Sequence, residues 1–95
     1  MGERVNRVEP AIERLIMRIL FFAHLKNVTG QAEVEWPGSP PLKTTDLWDR
    51  LTREWPALAL HRHATRLACN GEYKMGDEVF QAGDEIALIP PVSGG

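Results

Sequence analysis

The sequence predicts an α+β fold in which a mixed sheet of about four to five strands surrounds one main helix. Strand-like apolar segments lie at residues 17–25 and 85–89, and one amphipathic helical segment lies between them. Proline or glycine separates the segments, as is typical where regular structure ends. The length of 95 residues and the 43% hydrophobic content are sufficient for a single domain with one packed core.

Charge and composition exclude several classes of protein. The formal net charge is -2, and the Lys and Arg residues are scattered, so a nucleic-acid-binding surface is not expected. No apolar stretch is long enough to cross a bilayer, and the N-terminus lacks the apolar core of a secretory signal. The single cysteine, Cys69, cannot form an internal disulfide. We therefore expect a cytoplasmic protein with no membrane or nucleic-acid partner.

The chain divides into an N-terminal extension, residues 1–16, and a domain, residues 17–95. The extension is polar with spaced apolar residues, and Pro10 could open a short helical turn. Met17 starts the first strand and is also a residue at which translation could naturally begin. The extension is therefore either an added element or the product of an upstream start.

The first half of the domain predicts a hairpin followed by a helix. Residues 17–25 form the first strand, residues 26–30 a turn and residues 32–36 the second strand, which the proline-rich residues 37–41 end. Helical spacing then predicts a helix over residues 45–54, with Thr44 as its N-cap. The apolar side of this helix is formed by Leu47, Trp48, Leu51 and Trp55.

The second half predicts short strands joined by tight turns. Residues 58–64 are a linker or short helical turn, residues 66–70 a strand, and Asn70-Gly71 a tight turn that allows brief pairing of residues 72–73. Residues 82–84 turn into the last strand, residues 85–89. This order is typical of a β-grasp fold, in which the first and last strands lie parallel and adjacent at the centre of the sheet.

Both faces of the central strands are apolar. Alternation places Ile19, Phe21 and Ala23 on one face with Ile86 and Leu88, and these residues are assigned to the core. The opposite face then carries Leu20, Phe22, Ala87 and Ile89. One helix covers only one face of a small sheet, so this second face is predicted to bind a protein. Coverage by residues 1–16 is the alternative.

The C-terminal residues are the strongest candidate for a chemically active segment. Pro90 and Pro91 stiffen the exit from the last strand, and Gly94-Gly95 present a carboxylate on a backbone without side chains. A tail of this kind fits a narrow channel, because a Cβ would widen it. The alternative is a frayed terminus or an expression scar.

Other candidate residues are assigned structural roles. His61 and His63 lie two residues apart without a third ligand nearby, so we expect solvated histidines and no metal site. Cys69 is expected to be a small buried residue. The tryptophans are expected to pack, with Trp36 partly exposed on an edge strand. Asp84 and Glu85 are expected to point to opposite faces, which argues against an acid/base pair.

Two segments resemble a known family of ubiquitin-like proteins, the small sulfur-carrier subunits of molybdopterin synthase. Residues 17–23, Met-Arg-Ile-Leu-Phe-Phe-Ala, are similar to the family's opening strand. Residues 83–95, which end Pro-Pro-Val-Ser-Gly-Gly, are similar to its closing strand and tail. The resemblance spans residues 17–95, with residues 26–66 matching in layout more than in residues.

The resemblance implies a cosubstrate whose last residue carries sulfur. Gly95, preceded by Gly94, would be adenylated by a ubiquitin-activating-like adenylyltransferase that uses ATP, and a sulfur donor protein would convert it to a thiocarboxylate. The tail would then donate sulfur to cyclic pyranopterin monophosphate in the large synthase subunit. That subunit supplies the catalytic side chains, so this chain would be a non-catalytic subunit of a heterotetramer, with no tightly bound cofactor.

The family's hydrophobic interface corresponds here to Phe22, Tyr73 and Ile89, which agrees with the face assigned from alternation. The predicted partner-binding residues are Leu20, Phe22, Tyr73, Ile89, Pro90, Pro91, Val92 and Ser93. Three alternatives stay open: a sulfur carrier for thiamine thiazole or another thiolated metabolite, a modifier joined through Gly95 to protein lysines, and a structural interaction domain.

Overall fold

The structure is a computed structural model that describes residues 14–91. Two predicted features lie outside the described residues: the helical turn at Pro10 and the tail residues Val92, Ser93, Gly94 and Gly95. The first strand begins at Ile16, one residue before the predicted start. Within residues 14–91, no helix combines the length and the apolar composition needed to cross a membrane.

Among residues 14–91, five strands form the main sheet, and two further strands form a small second sheet. The main sheet has the order β2-β1-β7-β4-β5, and the second sheet pairs β3 with β6. The strands are β1 (Ile16–Phe21), β2 (Glu33–Pro37), β3 (Leu42–Lys43), β4 (Arg66–Cys69), β5 (Glu72–Lys74), β6 (Val79–Phe80) and β7 (Glu85–Ile89). The sequence pattern did not reveal the second sheet, because strands of two residues carry no periodicity.

Within the described part of the chain, three helical segments accompany the strands. Helix α1 is Leu25–Thr29 and helix α2, the main helix, is Thr44–Glu54. A 3₁₀ helix, Pro56–Ala64, follows α2 and begins with a proline, which is favourable at a helix start. Residues 58–64, predicted as a linker or a short helical turn, are part of this longer 3₁₀ segment.

The parallel pair of strands at the centre of the sheet confirms the predicted β-grasp topology. Strand β1 pairs parallel with β7, with Ile19 opposite Ile86 and Phe21 opposite Leu88. Strand β2 pairs antiparallel on the other side of β1, and β4 pairs antiparallel on the other side of β7. The pairing of β1 with β7 thus joins the β1–β2 hairpin to strands β4 and β5 in one sheet.

One face of this sheet and the main helix enclose the core. The alternation in β1 and β7 buries Ile19, Phe21, Ile86 and Leu88, as predicted. Helix α2 covers them with the buried side chains Leu47, Trp48 and Leu51. Burial of apolar surface at roughly 25 cal/mol per Å² is the main stabilising contribution.

The predicted end of the first strand is wrong. The strand ends at Phe21 and not at Leu25, because Ala23 adopts a left-handed backbone with φ of 53°. In place of the predicted turn at residues 26–30, the chain forms helix α1, which ends at Thr29 and is followed by the C-cap Gly30, also left-handed with φ of 76°. Ala23 is consequently exposed and does not point into the core.

Two predictions about tryptophan and helix capping are also wrong. Trp36 is only 4% exposed, because the Arg50 guanidinium lies 3.9 Å from its ring centroid and covers it. Helix α2 begins at Thr44, and its cap position is Lys43. The Thr44 hydroxyl instead accepts a hydrogen bond from the Glu78 backbone N–H at 2.9 Å, which joins the helix to the segment before β6.

The predicted Asn70-Gly71 turn is confirmed and also connects to the last strand. Both residues have positive φ, 52° and 88°, as a two-residue hairpin turn requires. The Asn70 side chain accepts a hydrogen bond from the Glu85 backbone N–H at 2.9 Å and donates one to Asp84 at 3.1 Å. The turn between β4 and β5 therefore fixes the start of β7.

Candidate partner-binding surface

The sheet face opposite the main helix carries a row of apolar residues across four strands. Leu20 lies opposite Ala87, Ala87 opposite Ala68, and Ala68 opposite Tyr73. We call the apolar part of this face the outer face, and define it by Leu20, Phe22, Ala68, Tyr73, Ala87 and Ile89. Their common direction follows from strand alternation, which was the basis of the sequence prediction.

The exposed surface of the outer face comes mainly from its aromatic residues. Phe22 is 45% exposed and Tyr73 is 59% exposed, whereas Leu20 and Ile89 are half-buried. Ala87 belongs to this face as predicted but is only 9% exposed, because its small side chain lies on a central strand, between Leu20 on β1 and Ala68 on β4. Large apolar side chains exposed together on one sheet face are typical of a protein-binding surface.

Phe22 is held in place by its backbone. Its N–H donates a hydrogen bond to the Leu88 carbonyl at 3.2 Å, which continues the β1–β7 pairing by one residue. Its own carbonyl accepts a hydrogen bond from the Leu25 N–H at 3.1 Å, at the start of α1. The left-handed backbone of Ala23 makes this change of direction possible. The outer face therefore presents an aromatic side chain on a fixed backbone.

A cleft of about 310 Å³ lies where the chain leaves the sheet. Its lining residues are Arg66, Tyr73, Ile89, Pro90 and Pro91. Pro90 is buried and Pro91 is exposed, so the chain turns from the central strand into solvent at this point. The predicted residues Tyr73, Ile89, Pro90 and Pro91 are thus brought together, next to the start of the tail.

The opposite end of the same sheet face is charged. Arg18 Nε lies 2.9 Å from Glu33, and another nitrogen of its guanidinium lies 3.1 Å from Glu85. The hydrogen bond from Arg18 lowers the pKa of Glu33 below its usual value, and the charge of Arg18 acts in the same direction. This charged group limits the apolar surface to the half of the face nearest the tail.

Arg66 is a residue of this surface that the sequence prediction missed. It lies directly opposite Ile89 in the β4–β7 pairing, and its guanidinium lies 5.7 Å from the Tyr73 ring centroid. Strand alternation could have identified it, because Arg66 is an outward-facing residue of the predicted strand 66–70. The prediction considered only apolar residues for this face and therefore did not include it.

Cys69 is buried on the core side of β4, as predicted. Burial, together with the nearby Asp84 carboxylate, raises the pKa of its thiol to about 11. A nucleophilic cysteine requires the opposite, a lowered pKa and access to solvent. The structure therefore assigns Cys69 to packing.

The histidines and the acidic pair have separate contacts in the structure. The rings of His24 and His61 lie 5.1 Å apart, a contact that the sequence did not predict, and His63 is exposed. Across residues 14–91, no three His, Cys, Asp or Glu side chains are grouped as metal ligands would be. Asp84 accepts hydrogen bonds from Asn70 and Gln81, while Glu85 contacts Arg18, so the two carboxylates have separate partners.

A comparison of the sequence with known families identifies the family of this chain. The sequence model of the ThiS family matches residues 19–95, a range that includes the second half of β1, all of β7 and the tail. This chain belongs to the ThiS family.

Its relatives in this family carry a consistent name. The human molybdopterin synthase sulfur carrier subunit is 37% identical over 82 residues, which cover 83% of this chain and 93% of the human protein. The molybdopterin synthase sulfur carrier subunit of Arabidopsis thaliana is 33% identical over 96 residues, which cover all of both chains. The match to the plant protein includes the N-terminal extension.

Solved structures of similar proteins share the ubiquitin-like β-grasp fold. The crystal structure of SAMP1 from Haloferax volcanii has a TM-score of 0.68 and 32% identity, and the match covers 84% of this chain and 99% of SAMP1. The complex of subunits 1 and 2 of molybdopterin-converting factor from Helicobacter pylori contains a chain with a TM-score of 0.60 and 21% identity. That match covers 84% of this chain and 99% of the other.

Proposed function

We propose that this chain is the sulfur carrier subunit of a molybdopterin synthase and that Gly95 carries the sulfur. The observation that supports this most strongly is the position of the outer face. Its exposed aromatic residues and the Pro90-Pro91 cleft adjoin the point where the tail leaves the central strand. A partner that covers this surface would receive the tail in a defined direction.

The proposed chemistry begins with a carboxylate, which is a poor electrophile. An activating enzyme of the ubiquitin-activating type joins the Gly95 carboxylate to AMP, using ATP and releasing pyrophosphate. Sulfur at the sulfide oxidation level, supplied by a donor protein, then attacks the acyl carbon of Gly95; AMP leaves, and the thiocarboxylate forms without a change of oxidation state. The thiocarboxylate is a good nucleophile: its sulfur attacks a carbon of cyclic pyranopterin monophosphate and displaces an oxygen leaving group, so that a thioester joins Gly95 to the pterin. Water then hydrolyses this thioester, which restores the Gly95 carboxylate and leaves a thiol on the product.

The proposed principal partner is the large synthase subunit. Two observations support it: relatives of this chain are named as molybdopterin synthase sulfur carrier subunits, and a structural neighbour is in a complex of subunits 1 and 2 of molybdopterin-converting factor. The large subunit supplies the catalytic side chains, and this chain supplies the sulfur and the docking surface. We place the resulting heterotetramer in the cytoplasm, where the free Cys69 would stay reduced.

A second candidate function is conjugation to other proteins. The similarity to SAMP1, a small archaeal modifier protein, favours it. In that case the Gly95 acyl-adenylate, or a thioester formed from it, would be attacked by a lysine amine of a target protein. The same outer face would then bind the activating enzyme and the conjugation machinery.

Reconstitution tests the proposal. The chain is incubated with ATP, a sulfur donor and the activating enzyme, and then with the large subunit and cyclic pyranopterin monophosphate. Molybdopterin should form with the wild-type chain and should not form when Gly95 is deleted. Failure to form molybdopterin in a system that works with the human subunit would contradict the proposal. Isopeptide-linked products in the same mixture would favour the modifier function.

A further inference from the structure

We propose that Arg66 binds a carboxylate of the large synthase subunit and thereby selects the partner surface that covers the outer face. The inference rests on the proposed function, because it takes the large subunit as the occupant. It adds a chemical requirement to that interface. The surface that contacts Tyr73 and Ile89 must also present an aspartate or glutamate beside its apolar side chains.

The position of Arg66 is the first argument. Arg66 is exposed and projects from β4 on the same side as Ile89 and Tyr73. It lines the cleft from which Pro91 leads into the tail. A partner that binds the tail therefore has to lie over the guanidinium of Arg66.

The second argument is the contrast with the other cation of this sheet face. Arg18 lies between two carboxylates, Glu33 and Glu85, so its charge is already compensated. No carboxylate of residues 14–91 lies within ion-pair distance of Arg66. Its guanidinium instead lies over the Tyr73 ring. The apolar half of the face thus carries one basic group whose charge the described residues leave uncompensated.

The third argument is energetic. A charged group covered by a partner without a counter-charge loses its hydration and gains nothing in return. A carboxylate that accepts two hydrogen bonds from the planar guanidinium compensates for the lost hydration and fixes the orientation of the pair. The Tyr73 ring reduces the freedom of the Arg66 side chain before binding. Arg66 is therefore suited to select a partner with an acid at this position.

Binding measurements on variants that remove or keep the charge of Arg66 provide the first test. Titration calorimetry of the full chain with the large subunit is compared for wild type, Arg66→Gln, Arg66→Lys and Arg53→Gln. Arg53 is an exposed cation on helix α2, which packs on the other face of the sheet, and serves as the matched control. We expect Arg66→Gln to weaken binding at least about tenfold, Arg66→Lys to weaken it less, and Arg53→Gln to leave it unchanged. High salt should weaken the wild type more than Arg66→Gln.

A charge exchange provides the second test and identifies the carboxylate. Arg66→Glu should not bind the wild-type large subunit. Among single Asp→Lys and Glu→Lys variants of the large subunit, one should restore binding to Arg66→Glu while weakening binding to the wild-type chain. Thermal unfolding of each variant checks that the fold is kept, which we expect for an exposed residue.

The outcomes separate this inference from the proposed function. If Arg66→Gln binds as tightly as wild type while Phe22→Ala binds at least about tenfold more weakly, the inference is overturned and the proposed function stands. If the wild-type chain does not bind the large subunit, both are overturned. If the chain instead forms a dimer that Arg66→Gln dissociates, the carboxylate belongs to a second copy, and the assignment to the large subunit is wrong.

Discussion

Phe21 and Phe22 are adjacent in the chain but lie on opposite faces of the sheet, with 2% and 45% of their surfaces exposed. Phe21 packs in the core, where its ring meets Trp55 edge to face at a centroid distance of 5.3 Å. Phe22 continues the β1–β7 pairing through its backbone and presents its ring to solvent. One dipeptide thus joins the core that holds the fold to the surface proposed to bind the partner.

The first prediction uses this pair as its own control. Phe21→Ala should lower the free energy of unfolding by about 3–5 kcal/mol, because a buried ring leaves a cavity. Phe22→Ala should change it by less than about 1 kcal/mol but should weaken binding to the large subunit at least about tenfold. Chemical denaturation and titration calorimetry measure the two effects. The assignment of faces is wrong if Phe22→Ala destabilises the chain as much as Phe21→Ala does.

The second prediction compares two leucines. Leu88 lies on the central strand with 0% of its surface exposed, whereas Leu60 in the 3₁₀ helix is 86% exposed. Leu88→Ala should lower the free energy of unfolding by about 2–5 kcal/mol. Leu60→Ala should change it by no more than about 0.5 kcal/mol, since its side chain is already in water. Urea denaturation of both variants measures the difference, and equal effects would show that the core is assigned incorrectly.

The third prediction concerns Cys69. Burial raises the pKa of its thiol from 9.0 to about 11, so a thiol reagent at neutral pH should react with the folded chain only as fast as the chain opens. The raised pKa also means that the folded state holds the proton more tightly than the unfolded state. The free energy of unfolding should therefore fall as the pH rises from about 9 to about 11.

Cys69→Ala is the control for this prediction, because lysine and tyrosine titrate in the same range. Its stability should show a smaller decrease over this pH interval than the wild type shows. Rapid labelling of the native wild-type thiol at neutral pH would contradict the burial of Cys69. Labelling is followed by mass spectrometry, and stability by chemical denaturation at each pH.

The fourth prediction concerns the turn that fixes the start of β7. Asn70→Ala removes the side-chain hydrogen bonds to Glu85 and Asp84 and also places alanine at a positive φ. We expect a loss of about 1–3 kcal/mol in the free energy of unfolding. Asn27→Ala, an exposed asparagine on α1, is the matched control and should have little effect. Thermal denaturation that shows equal losses for the two variants would contradict the role assigned to Asn70.

Strong periodicity and turn chemistry explain what the sequence predicted correctly. The order of the predicted elements indicated the parallel central strands. The alternation in the predicted strands, residues 17–25 and 85–89, indicated the division into a core face and an outer face, although the first strand ends at Phe21. Asn70-Gly71 predicted its hairpin because few other residue pairs adopt two consecutive positive φ angles. These signals are local, so a single sequence is sufficient to identify them.

The missed features depend on tertiary contacts. The backbone reversal at Ala23 has no sequence signal, since alanine rarely adopts positive φ, and it converted a predicted strand end and turn into helix α1. The burial of Trp36 depends on Arg50, which lies on another element. Arg66 became a candidate only when the strand register placed it opposite Ile89.

The mass of the C-terminus, measured before and after the sulfur-transfer step, is the most direct test of the proposed function. The chain is treated with ATP, the activating enzyme and a sulfur donor, and its intact mass is recorded. It is then mixed with the large subunit and cyclic pyranopterin monophosphate and measured again. We predict that sulfur replaces one oxygen of the Gly95 carboxylate in the first step and is lost as molybdopterin appears in the second. A Gly95 that never gains sulfur, or a thiocarboxylate that stays intact while molybdopterin is made, would contradict the proposal.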